Sequence, residues 1–330
     1  MPTSRSADRS TPAQASAAAG LPPVLRLIHG QHGGPGEGPG EAGSASVPGV
    51  VTHRPGRTAL VFDSPHSGTD YPADFGAVVP LPLLRQAEDT HVEKLYAFAP
   101  ELGVHWVEAH FPRSYLDANR DVAEIDLAMI EGGTWDGPVS DDPVVLQKVR
   151  LGKGLIWKCT DDGLPIYDRL LTPAEVAARI DRCWRPYHAA VARAIDAAHA
   201  AHGHSIHIDC HSMPAVAGRF ATLQPGLAHA DFVVGDRDGS TASPALSRAI
   251  CDFLRARGYS VDHNRPYKGV ELVRRYGRPA EQRHSIQVEI NRARYMDEAT
   301  LAIQPEGFAR LQADLRALTE WLLTVDPRAL

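Results

Sequence analysis

Three short segments limit what this chain can fold into more than any other feature. They read Leu60–Val61–Phe62–Asp63–Ser64–Pro65–His66, Ile206–His207–Ile208–Asp209–Cys210–His211 and Ile286–Gln287–Val288–Glu289–Ile290–Asn291. In the second, Ile206, Ile208 and Cys210 face one way and His207, Asp209 and His211 the other. In the third, Ile286, Val288 and Ile290 oppose Gln287 and Glu289. Period-two alternation marks β-strands with two distinguishable faces. In an open α/β sheet, ligands collect in the crevice outside the carboxyl ends of the strands. Two histidines and a glutamate brought together there predict a hydrolytic metal site.

Strands and helices alternate around these segments. Strand Ala59–Asp63 precedes a helix expected near Leu81–Leu102, then strand Val104–Ala109. Thr172 caps the clearest helix, with Pro173 at its first position and Glu175 completing a capping box. That helix is expected to kink at Pro186 and to stop at Gly203. Strand Ser205–His211, strand Asp231–Gly235, helix Ala242–Arg257, strand Ser285–Ile290 and a closing helix over about Pro305–Val325 follow. The pattern predicts a three-layer α/β/α fold with a mixed, mostly parallel central sheet. Met129–Tyr167, rich in Gly, Pro and Asp, reads as an excursion able to roof the site.

Residues 1–45 are rich in Ser, Ala, Pro and Gly, and this composition predicts a disordered tail ahead of one catalytic domain at 46–330. The island Pro23–Ile28 is a candidate edge strand. With 34 Lys and Arg against 40 Asp and Glu, and no basic run, nothing suggests nucleic-acid binding. No apolar stretch is long enough to span a bilayer. The four scattered cysteines read as buried thiols of a reducing, cytoplasmic compartment.

His66 lies in Ser64–Pro65–His66–Ser67–Gly68 and His211 in Asp209–Cys210–His211–Ser212. Either alone reads as an ordinary hydrogen-bonded residue; both at strand ends beside acids read as metal ligands. Zinc hydrolases take two histidines, one carboxylate and a water. Asp89 is the favoured acid, with Asp63, Asp70 and Glu93 open alternatives and an Asp89 that only complements a helix dipole an equal reading. Asp209 shares a strand face with His211 and suits a carboxylate that orients it. Glu289, flanked by apolar residues, must be paired or catalytic, and as general base would move a proton from water to a leaving nitrogen. Asn119–Arg120 offers amide and guanidinium donors for a carboxylate, against the plainer reading of a loop ion pair with Asp117 or Asp121. Arg113 and Arg292 are further candidates, and Tyr267–Lys268–Gly269 a loop near the site.

Several of these segments, with Asp89–Thr90–His91–Val92–Glu93–Lys94–Leu95–Tyr96, Arg113 to Asp121, Asp231 to Asp236 and Val288 to Met296, occur in one order from about Val50 onward. In this the chain resembles the N-formylglutamate amidohydrolase (deformylase) family, similar in fold to zinc carboxypeptidases and aspartoacylase. The resemblance implies one zinc ion, another divalent metal being possible, and cleavage of a formyl amide to formate and L-glutamate. His66, Asp89 and His211 would be ligands, Glu289 the base, Arg113 the oxyanion partner, and Asn119, Arg120 and Arg292 the grip on substrate carboxylates. The usual HxxE of the carboxypeptidase pattern is missing after His66. The implied partner is a small N-acyl amino acid, and the implied assembly a monomer or small homo-oligomer. The rivals are a deacylase for another N-acyl or N-formimidoyl amino acid, a metallocarboxypeptidase, and a non-catalytic anion-binding module.

Overall fold

The computed structural model describes residues 49–218 and 225–330. The tail expected at 1–45 and its island Pro23–Ile28 lie outside the described residues. Seven strands form one sheet in the order β1-β3-β2-β4-β7-β5-β6. They are β1 Val51–Arg54, β2 Leu60–Ser64, β3 His105–Ala109, β4 Ser205–Met213, β5 Phe232–Gly235, β6 Val261–His263 and β7 Arg283–Asn291. The central strands β3, β2, β4 and β7 run parallel, β1 pairs antiparallel with β3 and β5 antiparallel with β7, and β5 and β6 run parallel to each other. Sequence pattern locates the long central strands, whereas the short β1 and β6 carry too few residues to show a period.

The alternation in β4 and β7 divides two cores. Ile206, Ile208, Cys210, Ile286, Val288 and Ile290 pack with Leu246, Ile250 and Leu254 of helix α6 and with Leu311, Leu315 and Leu322 of helix α8. These helices span Pro244–Ala256 and Pro305–Leu322. On the opposite side, Val61, Val107 and Ala109 pack with Tyr187, Val191 and Ile195 of helix α5, Arg185–His202. The polar residues of β4 lie on this second side, where His207 bonds Asp63 and Ser285 and Tyr187 donates to Asp63. Buried polar groups there are matched to one another, as burial requires.

Helix α4, Pro173–Arg179, starts with the expected capping box, in which Thr172 and Glu175 satisfy each other's backbone N–H. In place of a kink at Pro186, a π-helical stretch, Ile180–Trp184, joins α4 to α5. Gly203 ends α5 at φ 73°, a left-handed turn that suits glycine.

The helix expected over Leu81–Leu102 is broken. It comprises α1, Leu81–Arg85, α2, Val92–Leu95, and a short 3₁₀ turn, Ala99–Leu102. His91 adopts φ 69° at the break, a conformation a helix interior forbids. The break turns Asp89 back toward β2, where its N–H donates to His66 O at 3.0 Å. The remaining helices are α3, Pro143–Arg150, in the 129–167 excursion, and α7, Glu271–Tyr276. No described helix is long and apolar enough to cross a membrane.

Glu93, on α2, is not one of the three residues that converge as a metal-binding group. Burial, with Glu108 and Glu88 nearby, pushes its carboxyl up to about 7 against backbone and Lys94 contributions. The folded state therefore keeps this proton to higher pH than the unfolded chain, and stability falls as pH rises from about 4.5 toward 7. Glu93→Gln removes that loss. Between pH 4.5 and 8 the variant should gain about 1–3 kcal/mol over the parent in urea unfolding. A gap independent of pH would show that Glu93 titrates normally.

Candidate metal centre

His66 follows β2 directly. Pro65 ends the strand, and Gly68 sits where a Cβ would lie 2.4 Å from the His110 and Phe111 backbone, so the turn admits only glycine. His211 stands near the carboxyl end of β4, and the parallel register sets it opposite Glu289 of β7. With Asp89 turned in by the helix break, three donors meet. His66, Asp89 and His211 each offer one atom, all within 4.8 Å of one another and all buried. Nδ1 of His66 lies 3.1 Å from Nδ1 of His211, and Asp89 Oδ2 lies 2.9 Å from His211 Nδ1 and 3.5 Å from His66 Nδ1. Among the described residues this is the one such group.

The outer nitrogens explain the orientation. His66 Nε2 donates to Asp117 Oδ1 at 2.6 Å, and Asp209 Oδ1 stands 2.6 Å from His211 Nε2. A carboxylate behind each imidazole draws the ring proton to Nε2 and turns the Nδ1 lone pair inward, a tautomer inferred from these contacts. Two lone pairs and a carboxylate oxygen then face one another with no hydrogen between them. Such a buried set demands positive charge. The donor set, two imidazoles and a carboxylate, is that of open zinc sites, so the residues fit a divalent ion.

The same demand shows in the proton affinities. Burial alone would lower the His211 pKa, but the Asp209 and Asp89 carboxylates outweigh it and hold it well above the ordinary range. Burial would raise Asp89, yet the adjacent His211, His66 and Arg113 hold it well below. Asp209, enclosed beside Asp63, is pushed up by burial despite His211.

Asp89 uses its other oxygen on cations. Arg292 donates to Oδ1 at 3.1 Å, and Arg113 NH1 stands 3.5 Å from it. Arg292 also donates to Ser212 Oγ and to Gln86 O, so its guanidinium is committed to holding Asp89. Asn119, only 3% exposed, is equally committed. Its amide donates to Asp209 Oδ2 at 3.1 Å and lies 3.0 Å from His211 Nε2, while its oxygen accepts from Leu272 N at 2.8 Å. Asn119 and Arg292 were expected to grip substrate carboxylates; the structure turns both inward, because buried acids behind the ligands claim their donors. Arg120 lies 3.5 Å from Glu124 and 4.0 Å from Asp117, with its Nε buried and without a hydrogen-bond partner.

Glu289, 8% exposed, accepts from Gln287 Nε2 at 2.8 Å. Burial and Asp89 raise its carboxyl to about 7, opposed by His211 and Arg113. Arg113, on the same side, donates to Asp117 Oδ2 at 3.2 Å and leaves its Nε free of hydrogen bonds. The phenol of Tyr267 is pushed up by burial and by Glu289.

The other candidate acids lie elsewhere. Asp63 bonds His207 and Tyr187, and Asp70 is exposed, 3.9 Å from His110. Asp117 and Trp157 were not singled out from sequence, yet Trp157 Nε1 donates to Asp117 Oδ2 at 3.2 Å and Asn119 N to Asp117 Oδ1 at 3.0 Å. The one available signal was the position of Asp117, two residues before Asn119 and four after Arg113. Trp157 comes from the 129–167 excursion, which thus reaches the centre from outside the sheet.

Comparison with known proteins shows the family. Residues 58–296 match the family model described as N-formylglutamate amidohydrolase. An N-formylglutamate deformylase of Pseudomonas aeruginosa is 32% identical over 283 residues, 83% of this chain and 96% of the relative. One from Pseudomonas putida is 28% identical, covering 82% and 96%. The crystal structure of N-formylglutamate amidohydrolase from Ralstonia eutropha JMP134 superposes with TM-score 0.79 at 46% identity, over 85% of this chain and 99% of that one. A gene product of Agrobacterium tumefaciens, 17% identical with TM-score 0.59 over 83% and 95%, shares the fold. On the family match and on relatives spanned almost end to end, the chain belongs to the N-formylglutamate amidohydrolase family.

Proposed function

We propose that this protein hydrolyses the formyl amide of N-formyl-L-glutamate, releasing formate and L-glutamate, with residues 46–330 acting as one catalytic domain. The observation that carries the reading is the buried convergence of His66, Asp89 and His211, each backed by a partner of opposite character. These three would hold a divalent ion, zinc being the expected one. When bound, such an ion polarises the scissile carbonyl and lowers the pKa of water.

The remaining chemistry belongs to side chains. Glu289 accepts a proton from the attacking water and returns it to the departing nitrogen as the C–N bond breaks, so one water is consumed. A carboxyl with a pKa of about 7 suits both transfers. Arg113, with a free Nε–H, meets the negative charge that gathers on the formyl oxygen. Arg120, whose Nε lacks a hydrogen-bond partner, is assigned to a substrate carboxylate. Asn119 and Arg292 are assigned to holding His211 and Asp89.

Purified protein should carry one zinc per chain and release formate from N-formyl-L-glutamate, and a chelator should abolish turnover. A rate indifferent to chelation, or a metal-free active protein, would sink the reading. Glu289→Gln should keep its zinc while kcat falls by roughly 10²–10⁴-fold; near-normal turnover would remove Glu289 from its role. Asp117→Asn should weaken zinc affinity by about 10–100-fold in competition with a chromogenic chelator, and unchanged affinity would show His66 needs no carboxylate behind it.

A further inference from the structure

One short segment stands behind both imidazoles. Asp117 bonds His66 Nε2, and Asn119 packs its amide against His211 Nε2 and Asp209. The backbone that carries them is held in turn by one helical rod. Arg179 NH1 donates to Tyr115 O at 3.2 Å, His188 Nε2 to Ala118 O at 2.8 Å and Trp184 Nε1 to Arg120 O at 2.9 Å. Three donors from α4, the π stretch and α5 thus bind three carbonyls of a six-residue loop, two of them on either side of Asn119.

A regular helix could not do this. Five residues separate Arg179 from Trp184, about 140° around an α-helix axis. The stretch Ile180–Trp184 is π-helical, and its wider turn closes much of that angle. Trp184 and His188 then follow at the spacing that shares a face, and their rings stack at 3.9 Å with an interplanar angle of 24°. Further contacts fix both rings. Arg275 lies 4.9 Å over Trp184, and His188 Nδ1 lies 2.9 Å from Tyr276 OH. Burial drives the His188 pKa down to about 3 against its backbone bond, so the ring is neutral and its one N–H faces Ala118. π-Bulges within helices recur at functional sites. Arg179 is enclosed by the rings of Tyr115, Phe75 and Tyr167; among the described residues it has no carboxylate partner within ion-pair distance, and its donors go to the Tyr115 and Phe75 carbonyls and the Tyr167 hydroxyl.

We propose that the π-bulge exists to aim Trp184 and His188, with Arg179, at the 115–120 loop, and that these are positioning residues for His66 and His211. They touch neither imidazole. They fix the backbone from which Asp117 and Asn119 set ring orientation. The consequence for metal affinity and turnover rests on the metal site proposed above; the effect on ring orientation does not.

The test compares Trp184→Phe, which keeps the aromatic stack and removes one N–H, with His188→Phe and the conservative His188→Gln, whose amide can still donate to Ala118 O. The first readout is the side-chain ¹⁵N resonances of His66 and His211 in chelator-treated protein. These should move in Trp184→Phe and His188→Phe and return toward the parent in His188→Gln. The second is zinc affinity, expected to fall about three- to tenfold in the first two variants, with kcat reduced and KM for N-formyl-L-glutamate nearly unchanged. Parent-like ring resonances in folded Trp184→Phe overturn the proposal, as does a His188→Gln no better than His188→Phe. If His188→Phe does not fold, Trp184→Phe decides alone. A parent protein that binds no zinc would sink the metal reading and leave the resonance comparison standing.

Discussion

The carboxylates behind His66 and His211 are the contacts on which the centre depends. An imidazole free in a pocket can rotate, flip and choose either tautomer. Asp117, 2.6 Å from His66 Nε2, and Asp209, 2.6 Å from His211 Nε2, remove those choices. Each contact fixes a proton on the outer nitrogen and aims the inner lone pair at Asp89. Burial strengthens the effect, because the same charges in water would be screened. The acids are not free of cost, since a buried carboxylate is stable only with donors around it. Asp117 accepts from His66, Arg113, Trp157 and the Asn119 N–H, and Asp89 from Arg292. Hence the arginines lie around the centre in contact with its acids, and little of their capacity is left for other groups.

The sheet makes this arrangement reproducible. Parallel pairing sets Asp209 beside Gln287 and His211 beside Glu289, and β2 runs alongside with Asp63 beside Asp209. A one-residue slip of β4 would send His207, Asp209 and His211 into the apolar layer under α6 and α8. The hydrophobic alternation that specifies the fold therefore also specifies which strand face bears the chemistry. What the sheet cannot supply comes from three connections: the turn after β2, the break before α2, and the 115–120 loop with its excursion partner Trp157.

This division explains what was legible in the residues. The alternation of β4 and β7 is local information, so the strands and their polar faces could be read directly, whereas the register that sets His211 opposite Glu289 appears only in the folded sheet. So could the Thr172–Glu175 capping box, whose two bonds span one helical turn. The position of Asp89 depends on His91 adopting a left-handed conformation, which no periodicity announces, and an unbroken helix was the natural expectation. Asn119 and Arg292 were legible as polar residues near the site but not as inward-facing ones. Their partners, Leu272, Asp209, Ser212 and Gln86, are distant in sequence and become neighbours only after folding. Trp157 carries no signal at all until the excursion folds back on Asp117.

Charge balance ties the layers together. Asp89, Asp117, Asp209 and Glu289 are all buried within one cluster, and the arginines within ion-pair distance of it are Arg113, Arg120 and Arg292. Four acids against three arginines leave a deficit that the protein must meet with protons or with another cation. The raised pKa of His211, that of Asp209 and the value of about 7 at Glu289 are three expressions of that deficit. A divalent ion at the three inward-facing donors would relieve it where it is greatest, between Asp89 and the imidazoles, and would leave Glu289, one strand away, as the group still free to gain and lose a proton near neutral pH. On this view the base is defined by where positive charge does not reach, as much as by its own burial.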